Sequence, residues 1–359
     1  MKIHNGFVGG NIRVKEIVGD DVYLENELRD TAEGKTWFYW AFCVEGAEGR
    51  RLTFHLGDTR LGYHGPAVSH DLYAWRWLGE LGEDGESFSY CFGEDEGCVY
   101  FAHHLLYHPE RFLSFAERKG LKIETLCTSR KGREIPCVRF GEGDTMILTA
   151  RHHACESTGD YILEGVLDEL CREPILGLSV LCVPFVDYDG VLDGDQGKNR
   201  APHDHNRDYV NGVESIHSAP KAIRAYMDKN PPRFAFDFHS PWHIGERNDN
   251  VFIVRRGTLP LKRQALIGRL LEQELTEGAM YYRTENDMPA NTDWNRDRNP
   301  TFATFASRLD GCELAFTLET TYYGTPEHPV SGDRLVELGR CFARALRRYL
   351  AEKAKGETE

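Results

Sequence analysis

Met146-Ile-Leu-Thr-Ala-Arg-His-His-Ala-Cys-Glu-Ser-Thr-Gly-Asp-Tyr161 is the stretch from which the fold can be read. Residues 146–150 form a short apolar run of the kind buried on both faces of a sheet. From Asp160 onward, Tyr161, Ile162, Val166, Leu167 and Leu170 recur at helical spacing. Between strand and helix stands His153-x-x-Glu156, two side chains able to bind a metal. Two later apolar runs end the same way, in Phe236-Asp-Phe-His239 and in Thr317-Leu-Glu319. Three strand ends that deliver acid-base or metal-binding groups to one place are the layout of an enzyme site.

Working outward, strands and helices alternate over the rest of the C-terminal part. Residues 178–186, 234–238 and 314–318 read as strands; 109–119, 213–229, 259–278 and 335–353 read as helices, the second stopped by Asn230-Pro-Pro232. The N-terminal part differs. Val22-Tyr-Leu24, Thr36-Trp-Phe-Tyr-Trp-Ala-Phe-Cys-Val44 and Arg51-Leu-Thr-Phe-His-Leu56 are β-rich runs, and glycine-rich acidic clusters such as Gly46-Ala-Glu-Gly49 punctuate them. The 359 residues exceed the roughly 250–300 that one core can hold. The reading is therefore an antiparallel β-sandwich domain over 1–97, then an α/β domain over 98–359 with a mixed central sheet flanked by helices. Trp37, Trp40, Trp75 and Trp77 read as core packing in preference to a carbohydrate cleft.

Composition narrows the function. With 41% hydrophobic and 28% charged residues the chain is globular, and no apolar run nears the roughly 18–20 residues that span a bilayer. The N-terminus carries no apolar leader, so the expectation is a cytoplasmic protein without membrane attachment. A formal charge of −14, with 43 Lys and Arg against 57 Asp and Glu, argues against nucleic acid as partner. Ten cysteines without a C-x-x-C pair predict reduced, buried thiols.

A catalytic Zn²⁺ takes three protein ligands and keeps one position for water, and two His with one Glu is such a set. His153 and Glu156 come from one loop and His239 from another strand end. The spacing to Glu156 favours His153 over His152, which reads as a neighbour satisfied by backbone. Pro202-His-Asp-His-Asn-Arg-Asp-Tyr209 offers Asp204 to orient a ligating histidine, and Asn206 with Arg207 to fork onto a carboxylate.

In this order and spacing the motifs resemble those of the zinc metallocarboxypeptidases over roughly residues 99–350, and most of all the cytosolic branch with a β-sandwich ahead of the catalytic domain. The resemblance implies Zn²⁺ on His153, Glu156 and His239, with Asp204 orienting the first histidine. It implies Glu319, in Phe316-Thr-Leu-Glu-Thr-Thr-Tyr-Tyr-Gly324, as the catalytic glutamate. Arg200, in Gly197-Lys-Asn-Arg200, takes the part of the arginine that polarises the scissile carbonyl, and Asn206 with Arg207 that of the pair gripping a free C-terminal carboxylate. The implied reaction is hydrolysis of the C-terminal amide bond of a peptide or protein tail. Departures are Asp187-Tyr188-Asp189-Gly190 in place of Asn-Pro-Asp-Gly, Cys155 where digestive members have arginine, and no counterpart of their mobile tyrosine. Two other readings compete with this one. An aspartoacylase-type zinc deacylase lacks support because its Gly-x-His-Gly-Asn-Glu motif is absent; a non-catalytic zinc-containing binding protein would need neither Glu319 nor Arg200. The preferred terminal side chain and any homo-oligomer are left open.

Overall fold

Two sheets packed face to face form the N-terminal module of the computed structural model, which describes residues 1–354 except 30, 34, 36, 58–60, 80, 83 and 84. Its strands are β1 (Lys2–His4), β2 (Arg13–Val18), β3 (Asp21–Glu25), β4 (Ala41–Glu45), β5 (Arg51–His55), β6 (Ala67–Ser69), β7 (Arg76–Trp77), β8 (Ser87–Cys91) and β9 (Cys98–Ala102). One sheet has the order β1-β4-β9-β6-β7, the other β2-β3-β5-β8. Alternation along β5 sends Leu52 and Phe54 inward and leaves Arg51 outside. Phe54 then sits 5.2 Å from Phe42 and 5.0 Å from Phe88, ring centre to ring centre, in an aromatic core that also takes Trp40 and Phe101.

Three expectations shift here. The sandwich is not purely antiparallel, because β3 and β5 pair in parallel. The strand expected over 36–44 begins at Ala41; Thr36 lies outside the described residues, and Trp37, Phe38 and Tyr39 leave this module's core to pack beside Tyr322 and Tyr323 of the C-terminal part. The division at 97/98 falls just before β9, which completes the first sheet by opposing Phe101 to Phe42. Of the four tryptophans, Trp40 is in the sandwich core, while Trp77 spans the seam and donates to the Val330 carbonyl at 2.7 Å.

The C-terminal part continues with α1 (Pro109–Arg118), β10 (Ile123–Thr128), β11 (Glu134–Gly141), β12 (Asp144–Ala150), α2 (Thr158–Arg172), β13 (Leu178–Val183), α3 (Tyr188–Asp193), α4 (Ser218–Lys229), β14 (Pro232–His239), β15 (Phe252–Val254), α5 (Leu261–Glu274), α6 (Phe302–Ala306), β16 (Leu314–Glu319) and α7 (Gly332–Ala354). Its sheet has the order β10-β11-β13-β12-β14-β16-β15. The four central strands run parallel, and antiparallel strands close both edges. Both faces are covered, which is why the central strands read as unbroken apolar runs. Met146 and Leu148 pack with α2, α5 and α7, whereas Ile147 between them packs with α4 and α6 on the other face. Sequence periodicity did not reveal the β10/β11 hairpin or the short β15. The helix expected over 213–229 starts only at Ser218, because the Asp208 carboxylate accepts from the backbone N–H of Ile216 and His217 at 3.1 and 2.7 Å and holds them in the preceding loop. No helix of the described residues is long and apolar enough to cross a membrane.

Helices α2 and α7 touch through glycine. A Cβ on Gly165 would lie 1.9 Å from the Val336 carbonyl oxygen, and one on Gly339 would lie 2.0 Å from that of Ile162. Backbone cannot yield as a side chain can, so Gly165→Ala should cost about 3 kcal/mol, the upper end for overpacking. Denaturant unfolding of the variant checks this; an unchanged midpoint would mean the helices separate freely.

Candidate active site

The chain order β12, β13, β14 places β13 on one side of β12 and β14 on the other, so the connections diverge above the β12/β14 pair. Such a switch point leaves a crevice beyond the carboxyl ends of the strands. The loop after β12 carries His153 and Glu156 into it, β14 ends on His239, and β16 ends on Glu319, which opposes His239 in register. A cavity of about 280 Å³ opens there, lined by His153, Glu156, His239, Glu319, Asp204, Asn206 and Arg207 among others.

The orientation of the histidines decides which atoms could hold a cation. Glu156 lies between them, with Oε1 2.7 Å from Nδ1 of His153 and Oε2 2.6 Å from Nδ1 of His239. Each ring turns its other nitrogen to a carboxylate: Nε2 of His153 stands 3.5 Å from Asp204, and Nε2 of His239 stands 2.6 Å from Asp237. This is the pattern in which an outer carboxylate fixes the tautomer of a ligating imidazole. Burial would raise the pKa of Asp204 and Asp237, but His153 beside the one and His152 and His239 beside the other outweigh it and keep both ionised. Glu156 Oε2 is buried yet accepts no hydrogen bond despite its contact with His239, and Glu319 Oε2 across the cavity is likewise unsatisfied. Two His and one Glu with oxygens spare and a cavity in front fit a zinc ion, with Nδ1 of each histidine and the Glu156 carboxylate as donors. A rival group of His152, Asp237 and His239 exists. His152 is fully engaged, by Asp237 at 2.8 Å and the Tyr209 hydroxyl at 2.8 Å, and has no open position. It is therefore held by side chains, not by backbone as expected.

Of the acids lining the cavity, Glu319 is the one shifted upward. Burial pushes its pKa up to about 7, with the neighbouring Glu156 adding to the rise and His239 opposing it. A carboxyl poised near neutrality beside a metal-capable set can both accept and return a proton.

Arg200 does not reach this cavity. Its guanidinium pairs with Asp187 at 2.7 Å and with Asp195 at 3.5 Å, and it lines a separate cavity of about 250 Å³ with His205 and His217. Lys198 turns into the site instead. Its ammonium contacts Glu156 at 2.7 Å and donates to the carbonyls of Ser240 and Pro241 at 3.0 and 2.8 Å. Residues two apart would share a side in extended backbone, but Asn199 between them has a left-handed φ of 57°, which breaks the alternation and lets the two cations face different cavities. Arg200, expected to polarise the carbonyl, is therefore not placed to do so in this cavity. Lys198 is to Glu156 what Asp204 and Asp237 are to the histidines, a partner behind a donor.

Asn206 and Arg207 both line the cavity, but not as a matched pair. Asn206 is tied down, its oxygen accepting from Phe302 N at 3.1 Å and its amide nitrogen 3.3 Å from Nε2 of His239. Arg207 is half-buried. A second arginine was not singled out from sequence: Arg256, just past β15, is buried in the same cavity, with Nη1 on the Thr304 hydroxyl at 3.1 Å and Nε unpaired. Burial lowers its pKa to about 10. Only the arginine pair in Val254-Arg-Arg256, at the end of a four-residue apolar run, could have signalled it.

No family profile matches the chain. It is 27% identical over 258 residues, 67% of each chain, to an uncharacterized protein of Zymomonas mobilis. Among solved structures it superposes on a metallo-carboxypeptidase from Burkholderia cenocepacia with a TM-score of 0.81 and 18% identity, over 98% of this chain and 99% of the other. The fold is that of the metallo-carboxypeptidases. A metallo-carboxypeptidase from Pseudomonas aeruginosa, solved with (2-guanidinoethylmercapto)succinic acid, gives a TM-score of 0.78 at 22% identity over 98% and 100% of the two chains. In both cases the N-terminal module is inside the superposed region, since nearly the whole chain is covered. Carboxypeptidase A from Helicoverpa armigera matches over 71% of this chain and 75% of its own, with a TM-score of 0.51 and 13% identity.

Proposed function

We propose that the protein is a zinc-dependent metallocarboxypeptidase that removes the C-terminal residue of peptides or protein tails. The observation that carries this reading is the unsatisfied, buried Glu319 carboxyl facing the His153, Glu156 and His239 set across a cavity that also holds Arg207. Likeness of fold to metallo-carboxypeptidases supports the general kind of hydrolase. Bound zinc would supply Lewis-acid polarisation of a carbonyl and acidify a water from a pKa of about 15.7 toward about 7. Glu319 takes a proton from the attacking water and passes it to the nitrogen of the departing amine, so that water is added across the amide and the carboxyl ends unchanged. Arg207 receives the substrate's terminal carboxylate, and Asp204, Asp237 and Lys198 hold the three donors in place. Trp242 and Trp294, exposed at the cavity, offer apolar faces to the peptide.

Metal analysis should find about one zinc per chain, and His239→Ala should lose it. Cys155 lies beside Glu156 but is buried, 3.3 Å from the Tyr322 hydroxyl, and burial pushes its thiol up to about 12. Thiol-blocking reagents under native conditions should therefore leave zinc in place. The zinc-loaded protein should shorten members of a C-terminally randomised peptide library by one residue, read by mass spectrometry. Cleavage inside the peptides, or none, would reject the carboxypeptidase reading.

A further inference from the structure

The N-terminal module meets the catalytic part along the loop that follows α3. Gly9 N donates to the Leu192 carbonyl at 3.3 Å, the Asn11 amide donates to that of Gly194 at 2.9 Å, and the Arg29 guanidinium reaches the Asp193 carbonyl and lies 3.5 Å from Asp195. Gln196 comes next and is fully buried. Its side-chain oxygen accepts from the backbone N–H of Phe38 at 2.7 Å and of Tyr39 at 3.2 Å, two donors of the N-terminal module. Its own backbone carbonyl accepts at 3.1 Å from Cys155 N, between His153 and Glu156. Gly197 then lies against the same loop so closely that a Cβ there would stand 2.3 Å from Ala154 N, and Lys198 follows, with its ammonium on Glu156. One residue thus joins the module on one side to the metal-binding loop on the other.

We propose that Gln196 is a positioning residue through which the N-terminal module sets the His153–Glu156 loop, which makes the module a working part of the metal centre. Two buried N–H groups converge on a single acceptor, so its removal leaves both unsatisfied and frees the segment that carries Gln196 O and Lys198. Partners behind metal ligands typically govern affinity by about 10–100-fold. The inference rests on the metal-centre reading for its zinc readout, and on geometry alone for its second readout.

The test compares Gln196→Met, which keeps the volume and loses the acceptor, with Gln196→Glu, which keeps an acceptor, and with Trp77→Phe, which removes another hydrogen bond of the same seam. Zinc affinity is measured by chelator competition, and hydrogen exchange is followed at the amides of residues 154–157. Gln196→Met should weaken zinc by about 10–100-fold and speed exchange at Cys155; Gln196→Glu should recover most of both. Trp77→Phe should lower the melting temperature and move neither. Wild-type affinity and exchange in Gln196→Met would overturn the proposal, as would an equal effect from Trp77→Phe. Should Gln196→Met not fold, Asn11→Ala, which loosens the same loop at Gly194, carries the same expectation with smaller amplitude. If the wild-type protein binds no zinc, it is the metal-centre reading that fails, and exchange at Cys155 decides this one.

Discussion

Glu319→Gln should lower kcat by about 10²–10⁴, the usual worth of general acid-base catalysis, while zinc and substrate binding persist. The substitution keeps size and one oxygen, and Glu319 is not one of the three donors, so metal content should not move. The same residue gives a stability prediction of defined sign. A glutamate that ionises near 4.5 when unfolded is held by burial to about 7 in the fold. Between these values the folded protein keeps a proton that the unfolded chain has released, so stability falls as pH rises through that window. Glu319→Gln cannot ionise and escapes the loss. The metal-free variant should therefore melt higher than metal-free wild type above about pH 7, and the gap should close toward about pH 4.5. A variant that keeps full activity, or one that melts lower than wild type at every pH, would remove Glu319 from the role of base.

Arg207→Ala should act on recognition. A charge-assisted hydrogen bond to a carboxylate is worth about 1.5–3 kcal/mol, which is roughly 10–100-fold in kcat/KM. The loss should appear mainly as a higher KM, and the preference for a free C-terminus over its amide should shrink by the same factor. Arg256 lies in the same cavity with an unpaired Nε, so the double variant tells whether the two arginines share the carboxylate. Wild-type protein that cleaves free-acid and amidated peptides equally well would show that Arg207 anchors no terminus, and a deacylase would become the better account. If neither is cleaved and Glu319→Gln alters nothing measurable, a non-catalytic zinc protein is the reading left.

Much of the site was legible because its parts sit at strand ends, and strand ends are marked locally. An apolar run that stops at a polar, metal-capable residue encodes both a buried strand and the point where it leaves the sheet. His153, Glu156, His239 and Glu319 were found in that way and converge on one cavity. Asp237 was in plain view two residues before His239, but a strand pattern does not name the partners of a buried carboxylate, and only the facing rings of His152 and His239 show why one is buried there. Arg256 follows a strand too short to show a period.

By itself the sequence determined the mixed sheet under its helices, the β-sandwich ahead of it and the strand-end residues of the candidate site, because burial leaves a periodic trace in the chain that is buried. It could not determine which of Lys198 and Arg200 faces the cavity. Both are cations on one loop, and the choice depends on how that loop is held. The hold comes from Phe38 and Tyr39, 158 and 157 residues away in sequence, through a single glutamine oxygen. The parallel pairing of β3 with β5 and the capture of the Ile216 and His217 amides by Asp208 are choices of the same kind. Each is settled by a hydrogen bond or strand pairing that becomes available only when distant segments have packed, and no local pattern records such a partner.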